Sequence, residues 1–181
     1  MTDRTRRSHA SRLALTLTVM LAAAAAVALA EEWKTYSYPP DGFSAVFPTE
    51  PSLSKRNIDT DGGAFELRSY VGQSGPVAFF IGVCDYDERL GGKTPDAVLE
   101  GARDGAVSNT KSHVTREKKI ALGIYKGLDF EAESADTHFD ARIYIVGTTL
   151  YQQVVVSAIG TPHADSGRFL DSFQLIPRKR D

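Results

Sequence analysis

Cysteine is almost absent from this chain, since Cys84 is the only one among 181 residues. A single cysteine excludes an internal disulfide, so the fold must be stable through packing alone. Its neighbours along the chain are mostly apolar, and a reactive thiol needs an electropositive, accessible setting. We therefore expect Cys84 to be buried and unreactive.

Clusters of positive charge are also scarce. After residue 30 the basic runs are short and include Lys118-Lys119 and Arg178-Lys179-Arg180, and the formal net charge of the chain is −2. This composition does not favour a nucleic-acid partner. We expect residues 177–181 to form a flexible, solvated basic tail.

Catalytic motifs are missing as well. The chain has no GxSxG elbow, and Gly91-Gly92-Lys93-Thr94 fails as a phosphate loop because Asp87 stands where the first glycine is required. His113 and His163 have no partner at the spacing of a metal site or a triad. We therefore expect a non-enzymatic protein without a cofactor.

The one long uncharged apolar run lies in the first thirty residues. Four arginines precede Leu13–Ala30, and Ala28-Leu29-Ala30 has the small side chains that a signal peptidase reads. This pattern predicts a signal peptide over residues 1–30 and export to the periplasm or the medium. An uncleaved anchor is the alternative, because eighteen residues is the lower limit for a spanning helix, and membrane contact is expected only in that case.

The segment after the leader opens with a hairpin. Trp33–Tyr38 and Phe43–Phe47 alternate as strands, and Gly42 permits a positive φ in the turn between them. Trp33, Tyr36 and Tyr38 form either an exposed aromatic patch for a partner or a cover over one end of the core. We favour the cover.

Alternating and continuous apolar runs predict seven further strands. Residues 76–84 are apolar on both faces, so this strand should be central in its sheet, with both sides covered. The predicted strands are residues 53–59, 64–71, 76–84, 112–121, 124–133, 136–147 and 150–159.

Two helices are indicated, each beginning at Thr-Pro. Thr94 is an N-cap candidate with Pro95 in the first helical position, and Thr161-Pro162 predicts the start of the second helix. Gly101 and Gly105 lower helix propensity, which close approach of the helix to the sheet would explain. The order of elements indicates one α+β domain over residues 31–176, with helices packed on a large antiparallel sheet.

Three stretches resemble the Mog1/PsbP-like group of small α/β domains: "GFSAVFP", "RIYIVGTTLYQQVVVS" and "GRFLDSF". The resemblance covers nearly all of residues 31–176. The resemblance implies an α/β/α sandwich. It implies no common activity, because the group includes photosystem accessory proteins, a nuclear-transport factor and bacterial envelope proteins.

Acidic residues concentrate in one predicted hairpin, between residues 128 and 144. Apolar residues of both strands must share a face, so the loop must contain an even number of residues. With Ser134-Ala135 as the loop, the facing pairs would be Glu133 with Asp136, Glu131 with His138, and Asp129 with Asp140.

Directly opposed carboxylates destabilise a hairpin unless something offsets their repulsion. One hypothesis is a cation such as Ca²⁺ bound by Asp129, Glu131 and Asp140, with His138 beside them, because Ca²⁺ takes oxygen ligands. A basic partner surface is a second hypothesis. The alternative is a solvated face that His138 and Arg142 partly neutralise.

These observations favour an exported, non-enzymatic accessory or binding domain that contacts another envelope or secreted protein. The alternative is a protein that binds a small ligand or a divalent cation, through the acidic 129–140 hairpin or the crevice between sheet and helix. A deep apolar pocket in that crevice would favour a ligand, and a filled one a protein partner.

Overall fold

The computed structural model describes residues 32–60, 63–86 and 92–179. The expected signal peptide lies outside these residues. The strands are β1 (Lys34–Tyr38), β2 (Phe43–Phe47), β3 (Ser52–Thr60), β4 (Gly63–Ser74), β5 (Val77–Asp85), β6 (His113–Leu122), β7 (Tyr125–Glu133), β8 (Thr137–Val146), β9 (Thr149–Ala158) and β10 (Gln174–Leu175). The helices are α1 (Pro95–Thr110) and α2 (Ser166–Asp171).

Seven strands form one antiparallel sheet in the order β3-β4-β5-β9-β8-β7-β6. The seven strands predicted in this region are confirmed to within a few residues at each end. The doubly apolar strand, β5, was expected to be central; it lies inside the sheet, directly beside the central strand β9.

The β1–β2 hairpin pairs with β10 in a second, three-stranded sheet. Gly42 has φ +72° in the hairpin turn, as predicted. This sheet and α2 cover one face of the large sheet and bury an aromatic core with Phe43, Phe47, Phe79 and Phe169 completely inaccessible to solvent. The α+β fold class is therefore confirmed, with a small sheet added to the helix on this face.

Helix α1 covers part of the opposite face. The side chain of Thr94 accepts a hydrogen bond from the Ala97 amide at 3.3 Å, so the predicted N-cap is confirmed. Val98 and Leu99 are buried in the second core, which lies between α1 and the sheet. Within the described residues, neither helix is long and apolar enough to cross a membrane.

The expected role of the two glycines in α1 is wrong. Both Gly101 and Gly105 are exposed, and a Cβ atom built at either position meets no atom within 4 Å. They lie on the outer side of the helix, so they do not bring it closer to the sheet.

The second helix begins later than predicted. Residues 161–165 form a turn in which the Asp165 amide donates to Nδ1 of His163 at 3.2 Å. The His163 ring also packs edge-on against Phe79, with the centroids 5.5 Å apart. These contacts hold the chain in a turn, and α2 starts at Ser166.

Two residues of the basic tail, Arg178 and Lys179, contact other parts of the domain. The Arg178 guanidinium bonds both carboxylate oxygens of Asp85, at 2.9 and 2.7 Å. The Lys179 amide donates to the Pro39 carbonyl at 2.9 Å. A distant carboxylate and a backbone carbonyl thus bind Arg178 and Lys179, and a flexible tail over residues 177–181 stays a prediction.

Candidate functional site

The acidic hairpin forms with a different register from the one predicted. Its loop has four residues, so Glu133 pairs with His138, Glu131 with Asp140, and Asp129 with Arg142. A four-residue loop keeps the apolar residues on one face just as a two-residue loop does. The observed register places a cation opposite Asp129, which relieves the repulsion that the predicted register would create there.

Asp129 is buried and surrounded by cations. It accepts hydrogen bonds from Arg142 Nε and Arg116 Nη2, both at 2.9 Å, and Lys118 Nζ lies 3.6 Å away. Burial alone would raise the pKa of this carboxyl, but the two arginines outweigh it and hold the pKa below its usual value. Asp129 is therefore paired and ionised.

The remaining acids of the hairpin are also paired. Glu131 accepts from Arg116 Nε at 2.8 Å, and His138 lies between Glu133 and Asp140 at 3.2 and 3.3 Å. Among the residues that the structure describes, no three His, Cys, Asp or Glu side chains are grouped to hold a metal ion. Calcium binding by Asp129, Glu131, Asp140 and His138 stays a prediction.

An apolar cavity of about 310 Å³ lies beside the C-terminal half of α1. Its floor is the face of β4, β5, β9, β8 and β7 that α1 only partly covers. Paired residues on these strands form two rows across the floor. One row contains Ala132, Phe139, Val156 and Ala78, and the other contains Phe130, Ala141, Val154, Phe80 and Val71.

The depth of the cavity follows from the sizes of these side chains. Ala132 and Ala141 each pair with a phenylalanine of the neighbouring strand, Phe139 and Phe130 respectively. A small residue beside a large one leaves a hollow in the sheet surface, and Ala106 on the helix adds no bulk above it. The cavity therefore results from alanines that pair with phenylalanines on the neighbouring strand. This pattern was not recognised from the sequence.

The central strand shows how incompletely this face is covered. On β9 the odd-numbered residues from 151 to 157 are buried on the α2 side, whereas Gln152, Val154 and Val156 on the α1 side are only half-buried. An antiparallel sheet can leave one of its faces partly open to solvent, and here α1 leaves these three residues only partly covered.

The aromatic residues of the first hairpin and the lone cysteine have structural positions. Trp33 packs edge-on against Phe79 at 5.0 Å, and Tyr38 lies 4.1 Å from Tyr70 between ring centroids. These rings cover one end of the core, as favoured from the sequence. Cys84 is buried, as expected.

A network of charged side chains at one end of the sheet was also not predicted from the sequence. Arg68 bridges Asp41 and Asp85, at 2.7 and 2.8 Å, and Tyr70 donates to Asp41 at 2.5 Å. Arg178 and Thr149 complete the shell of Asp85. The partners are far apart in the chain and belong to no motif, so only the fold brings them together.

No protein-family model matches the chain, and no curated protein matches it in sequence. The fold is similar to the solution structure of cyanobacterial PsbP (CyanoP) from Synechocystis sp. PCC 6803, with a TM-score of 0.54 and 11% identity. That match covers 86% of this chain and 98% of the other. A protein of unknown function from Pseudomonas aeruginosa, PA94, described as a putative regulator, matches with a TM-score of 0.41 and 13% identity over 76% of this chain and 91% of its own.

Proposed function

We propose that this protein, which has the Mog1/PsbP-like fold expected from the sequence, is an exported, non-enzymatic accessory domain that binds a small apolar ligand beside α1. The sequence left two hypotheses, a small ligand and a protein partner, and we choose the small ligand. The reason is the criterion stated there, namely that a deep apolar pocket favours a ligand.

One observation carries the proposal: the apolar cavity of about 310 Å³ on the central strands of the sheet. Ligand pockets in proteins start at about this volume and are lined mainly by hydrophobic and aromatic side chains. Half-exposed Phe80, Phe139 and Val154 lose contact with water when a ligand enters. Burial of apolar surface at about 25 cal/mol per Å² supplies the driving force.

The non-enzymatic part of the proposal is supported by the chemistry of the lining. The polar side chains there are amides and hydroxyls, from Asn109, Thr110, Ser112 and Gln152. These groups hydrogen-bond but do not act as acids or bases near neutral pH. Export is supported by the leader pattern of residues 1–30.

The test uses N-phenyl-1-naphthylamine, an uncharged apolar molecule whose fluorescence rises in an apolar site. We expect saturable binding of one probe per chain. The double variant Ala132→Leu/Ala141→Leu extends two side chains from the cavity floor and should weaken binding by at least about ten-fold, or about 1.4 kcal/mol. Ala158→Leu is the matched control, because Ala158 is an exposed alanine on β9.

The stability of the same variants separates binding from misfolding. Each methylene that fills an existing hollow contributes about 0.8 kcal/mol, so the double variant should unfold at a higher urea concentration than the parent chain. The proposal is contradicted if the probe does not saturate, or if the double variant and the control bind it equally well.

A protein partner is the second candidate, and Ile124 is the observation that favours it. This side chain is 90% exposed at the tip of the β6–β7 hairpin, and the nearby Lys126 is held by Asp96. A photocrosslinking residue at position 124 should give a discrete adduct in the source cells. The same residue at position 57, exposed on the edge strand β3, should not, and equal labelling at both positions contradicts this candidate.

A further inference from the structure

Gln152 supplies a hydrogen-bonding group in an otherwise apolar part of the cavity. We infer that the cavity selects a neutral, mainly apolar molecule of about two fused rings that carries one hydroxyl or carbonyl group, and that Gln152 hydrogen-bonds this group. The inference rests on the proposed function, because it specifies the ligand of the same site.

The position of Gln152 is set by the sheet. It lies on the central strand between Gly82 of β5 and Ile143 of β8, on the side that faces the cavity. Its side chain is half-buried, and its amide makes no hydrogen bond to another residue in the described part of the chain. Val154, the next residue on this face, is apolar. The amide therefore has both its donor and its acceptor free for a ligand.

The other polar side chains of the lining lie together at the C-terminal end of α1. The Thr110 hydroxyl bonds the carbonyl of Ala106 at 2.9 Å, and the Ser112 hydroxyl lies 2.7 Å from that of Thr110. These hydroxyls are occupied in ending the helix. Asn109 is exposed at the rim. Gln152 is thus the polar group best placed to bind the inner part of a ligand.

Charge on the ligand is disfavoured by the same lining. The residues around the cavity that the structure describes include no Asp, Glu, Lys or Arg. A buried carboxylate or ammonium group without a counter-charge would be strongly destabilised. The part of the ligand that enters the cavity is therefore uncharged.

Size follows from the volume. An engineered apolar cavity of about 150 Å³ binds benzene. The cavity here, at about 310 Å³, is twice as large. It fits two fused aromatic rings, or an aliphatic body of similar volume.

The test compares naphthalene with 2-naphthol, which differ by one hydroxyl group and are both neutral at pH 7. Dissociation constants are measured by displacement of N-phenyl-1-naphthylamine from the parent chain and from Gln152→Leu. The preference for 2-naphthol over naphthalene should fall by about three- to ten-fold in Gln152→Leu, because one net hydrogen bond is lost. Gln152→Asn keeps the amide one carbon further back and should lose part of the preference.

Gln153→Leu is the control, because Gln153 is the adjacent residue and is fully buried on the opposite face of β9. It should leave the preference unchanged. If both probes bind and Gln152→Leu does not alter their ratio, or Gln153→Leu alters it equally, the inference is overturned while the proposed function stands. If neither naphthalene nor 2-naphthol displaces bound N-phenyl-1-naphthylamine, the inference is overturned and the proposed function stands. If N-phenyl-1-naphthylamine itself does not bind the parent chain, both are overturned.

Discussion

Asp85 connects four parts of the chain, so its replacement by asparagine tests whether the charge network stabilises the fold. The carboxylate accepts two bonds from Arg178 at 2.9 and 2.7 Å, one from Arg68 at 2.8 Å and one from Thr149 at 2.7 Å. Asp85→Asn removes the charge and turns one acceptor oxygen into a donor that faces an arginine.

The expected loss can be worked out from exposure. Removing one partner of a buried ion pair costs about 3–5 kcal/mol. The side chain of Asp85 is 27% exposed and that of Arg178 is 26% exposed, so solvent screening reduces this figure. We expect Asp85→Asn to lower the free energy of unfolding by about 2–3 kcal/mol, which lowers Tm by roughly 5–10 °C in a domain of this size.

The effect depends on pH in a defined direction. Burial alone would raise the pKa of Asp85, but hydrogen bonds from Arg178, Thr149 and Arg68 hold the pKa well below the unfolded value of 3.8. A depressed folded-state pKa stabilises the fold above the unfolded pKa, and this contribution is lost as the pH falls towards the folded pKa. The stability difference between the parent chain and Asp85→Asn should therefore be constant from pH 7 to about pH 5 and shrink below about pH 4.

Urea unfolding at pH 7, pH 5 and pH 3 measures this difference. Asp171→Asn is the control, since Asp171 is 70% exposed in its pair with Arg142 and should contribute less than about 1 kcal/mol. Arg178→Gln should cost less than Asp85→Asn, because it removes two of the four bonds to the carboxylate and leaves those from Arg68 and Thr149 in place. A difference at pH 7 below about 0.5 kcal/mol, or one that does not shrink at pH 3, would refute the reasoning.

Three further substitutions have outcomes that the structure fixes, each measured by urea unfolding. Gln153→Leu should raise the free energy of unfolding by about 1–3 kcal/mol, because neither the oxygen nor the nitrogen of this buried amide has a hydrogen-bond partner among the described residues. A loss of stability would mean that the amide does have hydrogen-bond partners. Gly105→Ala should stabilise α1 by up to about 1 kcal/mol, since the new Cβ meets nothing, and a destabilised variant would show that the helix packs differently. Gly127→Ala should destabilise by more than about 2 kcal/mol, because its Cβ would lie 2.6 Å from the carbonyl oxygen of Ile143; a neutral result would contradict the close approach of β7 and β8.

The sequence alone determined the elements whose cause is local. Alternation of apolar residues predicted the strands, Gly42 the first hairpin turn, and Thr94 with Pro95 the start of α1, since each depends on residues within a few positions. The apolar run of β5 on both faces also placed that strand inside the sheet. The same local reasoning placed the start of α2 too early. His163 contacts the distant Phe79 and holds the residues before Ser166 in a turn.

Tertiary structure decided whatever depends on partners far along the chain. Parity allowed loops of two or four residues in the β7–β8 hairpin, and the choice of four coincides with cations from β6 and β8 around Asp129. The pair of Asp85 and Arg178 joins residues 93 positions apart, which no local pattern encodes. The cavity exists because α1 lies over one side of the sheet and leaves the centre of β9 half-covered. The volume of such a cavity depends on where the helix and the strands pack against each other. The secondary-structure preference of a single element does not determine it.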